Sequence, residues 1–273
     1  MTIEFIVSAI ANSLVFTFGA CIGSFLNVVI YRIPAGISLV SPPSRCPKCF
    51  HRLGKTENVP VLGWLWLRGR CRWCKTPISS RYPTVEAITG IIFLIVFWRF
   101  GYSIETVGYW ALLSWLLSLS AIDLDTMTLP PALTKSGLVL GLIFQLILGW
   151  HLDGAKGAVQ GLIFGIGGAV LGIWLLETIA LIGSIMLGQQ AMGDADGKLM
   201  ATIGAWIGWK YVLVACFIAC GVGSILGGIA IALKIINRKQ PVPFGPFLAL
   251  GGALTLFFGE AIIDTYVKYF FLV

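Results

Sequence analysis

Apolar runs long enough to cross a lipid bilayer recur along almost the whole chain, and they leave few folds open. A span needs about 20 apolar residues, and inside the hydrocarbon only helices or closed barrels satisfy the backbone. Eight stretches are candidate spans: 5–30, 83–99, 106–122, 132–150, 157–187, 198–209, 211–233 and 246–271. The sixth is short, and Gly208-Trp209-Lys210 interrupts the run there, so 198–233 is the least regular part. Composition agrees, because 58% of the 273 residues are hydrophobic and 11% charged, whereas soluble domains run near 25% charged. A soluble globule, a disordered chain and a fibrous repeat are all excluded. The 33 glycines suit packed membrane helices, and pairs such as Gly161/Gly165, Gly168/Gly172 and Gly204/Gly208 predict close helix contacts. The expected fold class is an all-α polytopic membrane protein of about eight transmembrane helices.

The charges supply an orientation. Of 19 Lys+Arg, ten fall between Tyr31 and Tyr82: Arg32, Arg45, Lys48, Arg52, Lys55, Arg68, Arg70, Arg72, Lys75 and Arg81. One acid, Glu57, accompanies them, so the net charge of +7 belongs mostly to this loop. Beside a membrane span, the positive-inside rule accounts for such a loop without invoking nucleic acid, and it places the loop in the cytoplasm. Eight spans then put the N-terminus outside and the turns at 123–131, 188–197 and 234–245 inside. The last of these carries Lys234, Arg238 and Lys239, in agreement with the rule. Met1-Thr2-Ile3-Glu4 lacks the basic start of a cleaved signal peptide.

Seven cysteines divide into two groups. Cys21, Cys216 and Cys220 lie in apolar spans and read as small buried side chains. Cys46-Pro-Lys-Cys49 and Cys71-Arg-Trp-Cys74 form two CxxC knuckles with 21 residues between them. Four thiolates so spaced can close tetrahedrally around zinc, and a cytoplasmic loop seldom keeps disulfides. The loop has too little apolar content to fold unaided, which a metal would remedy. Four sulfur ligands leave no open position, so the zinc is expected to be structural. His51 is a spare ligand that four cysteines make unnecessary. A small zinc-binding cytoplasmic loop domain is therefore expected after the first helix.

Acids near a membrane are costly and call for a reason. Asp123 ends the third span in Ser120-Ala121-Ile122-Asp123-Leu124-Asp125, and Asp194 and Asp196 open the sixth in Gly193-Asp194-Ala195-Asp196-Gly197-Lys198. Both clusters reach the cytoplasmic face in the topology above. One carboxylate from each, brought together, would share a proton. Such a pair can activate a water and polarise a peptide carbonyl. Caps or solvated turn residues are the plainer reading of the same acids.

Several ordered stretches resemble the type IV prepilin peptidase family, the bifunctional prepilin leader peptidases and N-methyltransferases. They are Gly23-Ser24-Phe25-Leu26-Asn27-Val28-Val29-Ile30-Tyr31-Arg32-Ile33-Pro34, Ser44-Arg45-Cys46-Pro47-Lys48-Cys49, Asn58-Val59-Pro60-Val61-Leu62, Gly69-Arg70-Cys71-Arg72-Trp73-Cys74 and Arg81-Tyr82-Pro83-Thr84-Val85-Glu86. Downstream, Asp123…Leu129-Pro130-Pro131…Thr134 and Gly193-Asp194-Ala195-Asp196-Gly197-Lys198 resemble the family's D…LPD…T and GxGDxK patterns. The resemblance implies a GxGD-type membrane aspartyl protease with Asp123 and Asp196 as its catalytic aspartates. Asp125 and Asp194 are the alternatives in each cluster. Pro131 stands where the family has Asp, and Ala195 replaces the second glycine of GxGD. If that backbone required positive φ, alanine would cost about 1 kcal/mol.

The reaction implied is removal of the basic leader from a type IV prepilin or type II secretion pseudopilin at the cytoplasmic face of the bacterial inner membrane. Methylation of the new N-terminal residue by S-adenosylmethionine would follow. That cofactor rests on the resemblance alone, since no glycine-rich fingerprint for it is visible. Residues 1–82 would form the methyltransferase region with the zinc loop, and 83–273 the peptidase. Asn58 and Glu86 match family positions. The expected partners are prepilin or pseudopilin substrates and membrane lipid, with no nucleic acid. The alternatives are an inactive assembly scaffold, which Ala195 keeps open, or a polytopic transporter with a zinc-stabilised domain. A transporter would depend on mid-membrane acids, for which Glu260 is the clear candidate and Glu177 a weaker one.

Overall fold

The structure, a computed structural model, describes residues 3–54, 56–188, 192–235, 237 and 242–271. Met1, Thr2, Lys55, Ala191, Arg238 and Lys239 lie outside the described residues. Eight helices are present among those described: α1 (Ile3–Arg32), α2 (Leu62–Trp66), α3 (Arg81–Phe100), α4 (Ile104–Thr126), α5 (Pro131–Leu187), α6 (Asp194–Ile207), α7 (Trp209–Ala232) and α8 (Gly245–Phe270). Among the described residues β-structure is confined to two isolated bridges. Among the described residues, six helices are long and apolar enough to cross a membrane: α1, α3, α4, α5, α7 and α8.

The 57 residues of α5 are two spans rather than one. Asp153 (φ −144°, ψ 30°) and Gly154 (φ 58°, ψ −143°) leave the helical region and break it. A methyl group on Gly149 would collide with the carbonyl oxygen of Gly157, and one on Gly161 with that of Gln145. Contacts stepping four residues backward on one arm and four forward on the other mean that the chain doubles back. The arms 131–152 and 155–187 are the predicted fourth and fifth spans.

The predicted sixth span is short, as expected, and differs in where it begins. It is α6, a helix of 14 residues that starts at Asp194 rather than at 198. At 1.5 Å per residue it is about 21 Å long, short of a hydrocarbon core of about 30 Å. Acids in the first turn suit a helix N-terminus, which accounts for the earlier start. Gly208 (φ 79°) ends it. Every residue from Leu199 to Ile207 is buried, so this part of α6 is enclosed by its neighbours rather than facing lipid.

The chain forms two compact units, Met1–Ser114 and Trp115–Val273. In the first, α1 and α3 meet through small residues. A methyl group on Gly23 would lie 2.7 Å from Glu86 Cα, and one on Gly90 2.7 Å from the Phe16 ring. Phe93 and Trp110 stack at 4.7 Å beside Phe18. In the second unit, Gly168 and Gly204 bring α5 and α6 backbone to backbone, and any Cβ at either would strike the other's carbonyl oxygen. The predicted small-residue pairs thus lie at helix contacts. Ala169, Ala201 and Ala205 fill the seam beside Leu138, Leu142 and Ile173. Large apolar side chains such as Phe5, Trp98, Ile163 and Phe217 face outward, as expected of a surface that meets lipid.

Candidate active site and metal centre

Three polar ties set the register of α6 along α5. The Thr202 hydroxyl donates to the Thr134 carbonyl at 2.9 Å, the Trp206 indole N–H to the Gly137 carbonyl at 2.8 Å, and Gln145 Nε2 to the Trp206 carbonyl at 2.5 Å. A slide along the α5–α6 interface would orphan buried donors, at roughly 1–3 kcal/mol each. The register places Asp196 in the first turn of α6, where it is 8% exposed, and Asp123 near the end of α4 is 5% exposed. Asp125 and Asp194 are solvent-exposed. On a helix, residues two apart point about 200° away from each other, so each cluster turns one carboxylate inward and the other out.

Asp123 is held by a residue the sequence reasoning missed. The backbone N–H of Gly245 donates to Asp123 Oδ2 at 2.9 Å. Gly245 opens α8, where N–H groups have no partner within the helix. A methyl group there would lie 2.7 Å from the same oxygen. The available signal was Pro243-Phe244-Gly245-Pro246, a helix start with glycine beside proline, read only as the edge of the last span.

Asp196 lies ahead of the apolar run of α6 and outside the six spans. Burial, and then the charge of Asp123, push its carboxyl up to about 6, against the Gly193 N–H, which pulls it down. The two carboxylates therefore feel each other's charge, as a proton-sharing pair must. A cleft of ≈ 230 Å³ opens beside this turn, lined by Glu177, Met192, Gly193, Asp194 and Gly197 among others.

The two departures from GxGD and LPD have simple local readings. Ala195 lies inside α6, and no positive φ occurs there, so alanine carries no conformational penalty. Pro131 is the first residue of α5, a position where its missing N–H costs nothing. Glu177 and Glu260 are both exposed, and Glu177 lines the cleft beside Asp194.

In the first unit, the two CxxC segments fold as the same turn twice. The Cys46 N–H donates to the His51 carbonyl and the Phe50 N–H to that of Cys46; the Cys71 N–H donates to the Thr76 carbonyl and the Lys75 N–H to that of Cys71. Phe50 and Lys75 both have φ 57°. The four sulfurs lie within 4.8 Å of one another, with Cys46 to Cys74 at 3.7 Å and Cys49 to Cys71 at 3.9 Å. A regular tetrahedron with metal–sulfur bonds near 2.3 Å has edges of about 3.8 Å, so the cluster fits a metal ion. Backbone N–H groups of Cys49 and then Lys48 hold the Cys46 thiol down to about 6, which favours a thiolate. The His51 ring packs on Trp73 at 4.2 Å and does not join the four sulfurs. Glu86 is buried, with Oε2 accepting the Val61 N–H at 2.6 Å. Asn58 is exposed.

Comparison with known proteins agrees with both halves. The bacterial peptidase A24 N-terminal domain matches residues 17–100, and the type IV leader peptidase family matches residues 110–228. The prepilin leader peptidase/N-methyltransferase of Aeromonas hydrophila is 36% identical, over 94% of each chain. The proteins of the same name from Stutzerimonas stutzeri and Pseudomonas aeruginosa are each 35% identical, over 92% of this chain and 92% and 91% of theirs. No solved structure matches. With likeness of this extent across both units, the chain belongs to the type IV leader peptidase family.

Proposed function

We propose that this multi-pass inner-membrane protein removes the leader of type IV prepilins or type II secretion pseudopilins, and then methylates the new N-terminus. The observation that carries the reading is the pair Asp123 and Asp196, both buried, with the charge of Asp123 acting on Asp196. One carboxylate takes a proton from water as the water attacks the scissile carbonyl. The other, protonated, donates to that carbonyl oxygen. Gly245 holds Asp123 through one oxygen and leaves the other for this chemistry. The relatives' shared name supports the methyl transfer, and S-adenosylmethionine is its proposed donor. We assign methyl transfer to residues 1–82 and cleavage to 83–273. Cys46, Cys49, Cys71 and Cys74 are the proposed ligands of a structural zinc. The zinc loop and both aspartates are placed on the cytoplasmic side, with the N-terminus outside.

Purified protein incubated with a prepilin and methyl-labelled S-adenosylmethionine is expected to yield a shortened product carrying label on its N-terminal residue. Intact prepilin after prolonged incubation would refute cleavage, and a shortened product without label would refute methyl transfer alone. Gly245→Ala is expected to slow cleavage about 10-fold or more, since its methyl must displace the Asp123 carboxylate and misplacement by an ångström costs about 10²-fold. An unchanged kcat would remove Gly245 from the site. For orientation, a single added cysteine in a zinc-loaded background that keeps the four ligand cysteines and lacks Cys21, Cys216 and Cys220 serves as the probe. At a position in 56–70 it is expected to react with an impermeant reagent only from the cytoplasm, and in 151–155 only from outside. The reverse pattern overturns the topology.

A further inference from the structure

The zinc loop carries a cleft of ≈ 440 Å³ lined by Leu67, Arg68, Arg70, Cys71, Arg72 and Lys75. Four of these six side chains are cationic. Among the described residues the ion pair here is Arg72 with Glu57, at 3.8 Å, and Arg68, Arg70 and Lys75 have no acid within ion-pair distance. A zinc ion with four thiolates carries two negative charges and would balance two cations at most. Arg68 and Lys75 hold φ of 50° and 57°, a region that L-residues with long side chains avoid. Glycine would relieve both positions, yet each carries a cation.

The cleft is held beside a membrane-entering helix. Val61 donates to Glu86 at 2.6 Å, and Glu86 lies five residues into the span α3. The Trp64 indole donates to the Ile78 carbonyl at 3.0 Å, and the Ile78 N–H to the Gly69 carbonyl at 2.7 Å. The segment 61–78 is thereby folded onto the end of α3 that meets the membrane surface. Its short helix α2 leaves Leu62, Leu65 and Trp66 exposed at 62%, 55% and 86%. Apolar and aromatic groups next to unpaired cations suit the headgroup layer of a bilayer. The same charge repels a sulfonium or a basic peptide, so the ligand is an anion other than the proposed cofactor or leader.

We infer that this cleft binds the phosphate headgroup of anionic phospholipids and seats the zinc loop on the bilayer surface. The inference rests on the chain being a membrane protein and not on the peptidase reading. The test is native mass spectrometry of the full, zinc-loaded chain titrated with phosphatidylglycerol and, separately, phosphatidylcholine. The parent is expected to bind its first phosphatidylglycerol in preference to phosphatidylcholine. Arg68→Gln is expected to weaken that binding about fivefold, and Arg68→Gln/Arg70→Gln/Lys75→Gln to remove the preference, as follows from the loss of a cation near an anionic surface. The zinc mass and prepilin cleavage in detergent are expected to be retained. Arg68 is three residues from the nearest ligand, so that single variant decides the matter even if the triple variant loses zinc. Equal phosphatidylglycerol binding by parent and Arg68→Gln overturns the proposal. Displacement of the lipid by inorganic phosphate, beyond that by chloride at equal ionic strength, also overturns it in favour of a free-anion site. Loss of cleavage in the parent would refute the peptidase reading and leave this one standing.

Discussion

Asp123→Asn and Asp196→Asn are each expected to abolish leader cleavage, lowering kcat by about 10²–10⁴-fold. A dyad that activates water needs one carboxylate free to take a proton and another able to give one, and an amide does neither. Asparagine keeps the shape, and at residue 123 its carbonyl can still accept the Gly245 N–H, so the fold is expected to survive with unchanged thermal stability in detergent. Asp125→Asn and Asp194→Asn are expected to change the rate by less than about fivefold, because both side chains face solvent and exposed substitutions seldom matter. The pH profile is expected to be bell-shaped, with the singly protonated pair as the active form. On the alkaline limb that remaining proton leaves. With Asp196 pushed up to about 6 by burial and by Asp123, this limb is expected near or above pH 6 rather than near 4, where an unperturbed carboxylate titrates. Near-parental cleavage by Asp196→Asn would sink the aspartyl mechanism. Loss at Asp125 with retention at Asp123 would show the wrong carboxylate chosen on α4.

Much of this site was legible in the sequence because its parts are short-range. Helix periodicity turns Asp125 away from Asp123, and Asp194 away from Asp196, and the family resemblance chose between them. Spacing alone brought four thiols together, since two CxxC turns each fix two sulfurs locally. Hydropathy located the long spans well, but it set the start of α6 four residues late and did not show that α6 is enclosed. A run of 198–209 reads the same whether a helix faces lipid or is enclosed by other helices. The distinction depends on α5 coming close at Gly168 and Gly204, which is a tertiary fact. Gly245 was illegible for the same reason, since its contact with Asp123 joins residues 122 positions apart. Ala195 looked like a handicap only while the local backbone was unknown. In a helix it is an ordinary residue.

Serine at Cys46, Cys49, Cys71 or Cys74 is expected to cost the protein its metal and the order of its loop, the second large effect. Parent protein is expected to contain about one zinc per chain, and each single variant less than about a tenth of that. The magnitude follows from how little else holds this segment. The two knuckles contribute isolated bridges, Arg45 to Arg52 and Arg70 to Pro77, rather than a sheet. Apparent binding energies for structural zinc, about 10–16 kcal/mol in small peptides, far exceed what two such bridges supply. Phe50 and Lys75 at φ 57° add strain that the metal must also offset. Limited trypsin digestion gives a direct readout, because the loop is rich in Lys and Arg and an unfolded loop exposes them. Rapid cutting between 45 and 75 is expected in the variants and in chelated parent, with restoration by zinc in the latter only. Cys216→Ser and Cys220→Ser, in the apolar helix α7, are expected to keep full metal content and the parental digestion pattern. Folded, trypsin-resistant parent with no metal by elemental analysis would remove the zinc assignment. If the variants lose zinc yet still methylate cleaved prepilin, the assignment of methyl transfer to residues 1–82 fails, while that of cleavage to the aspartates does not.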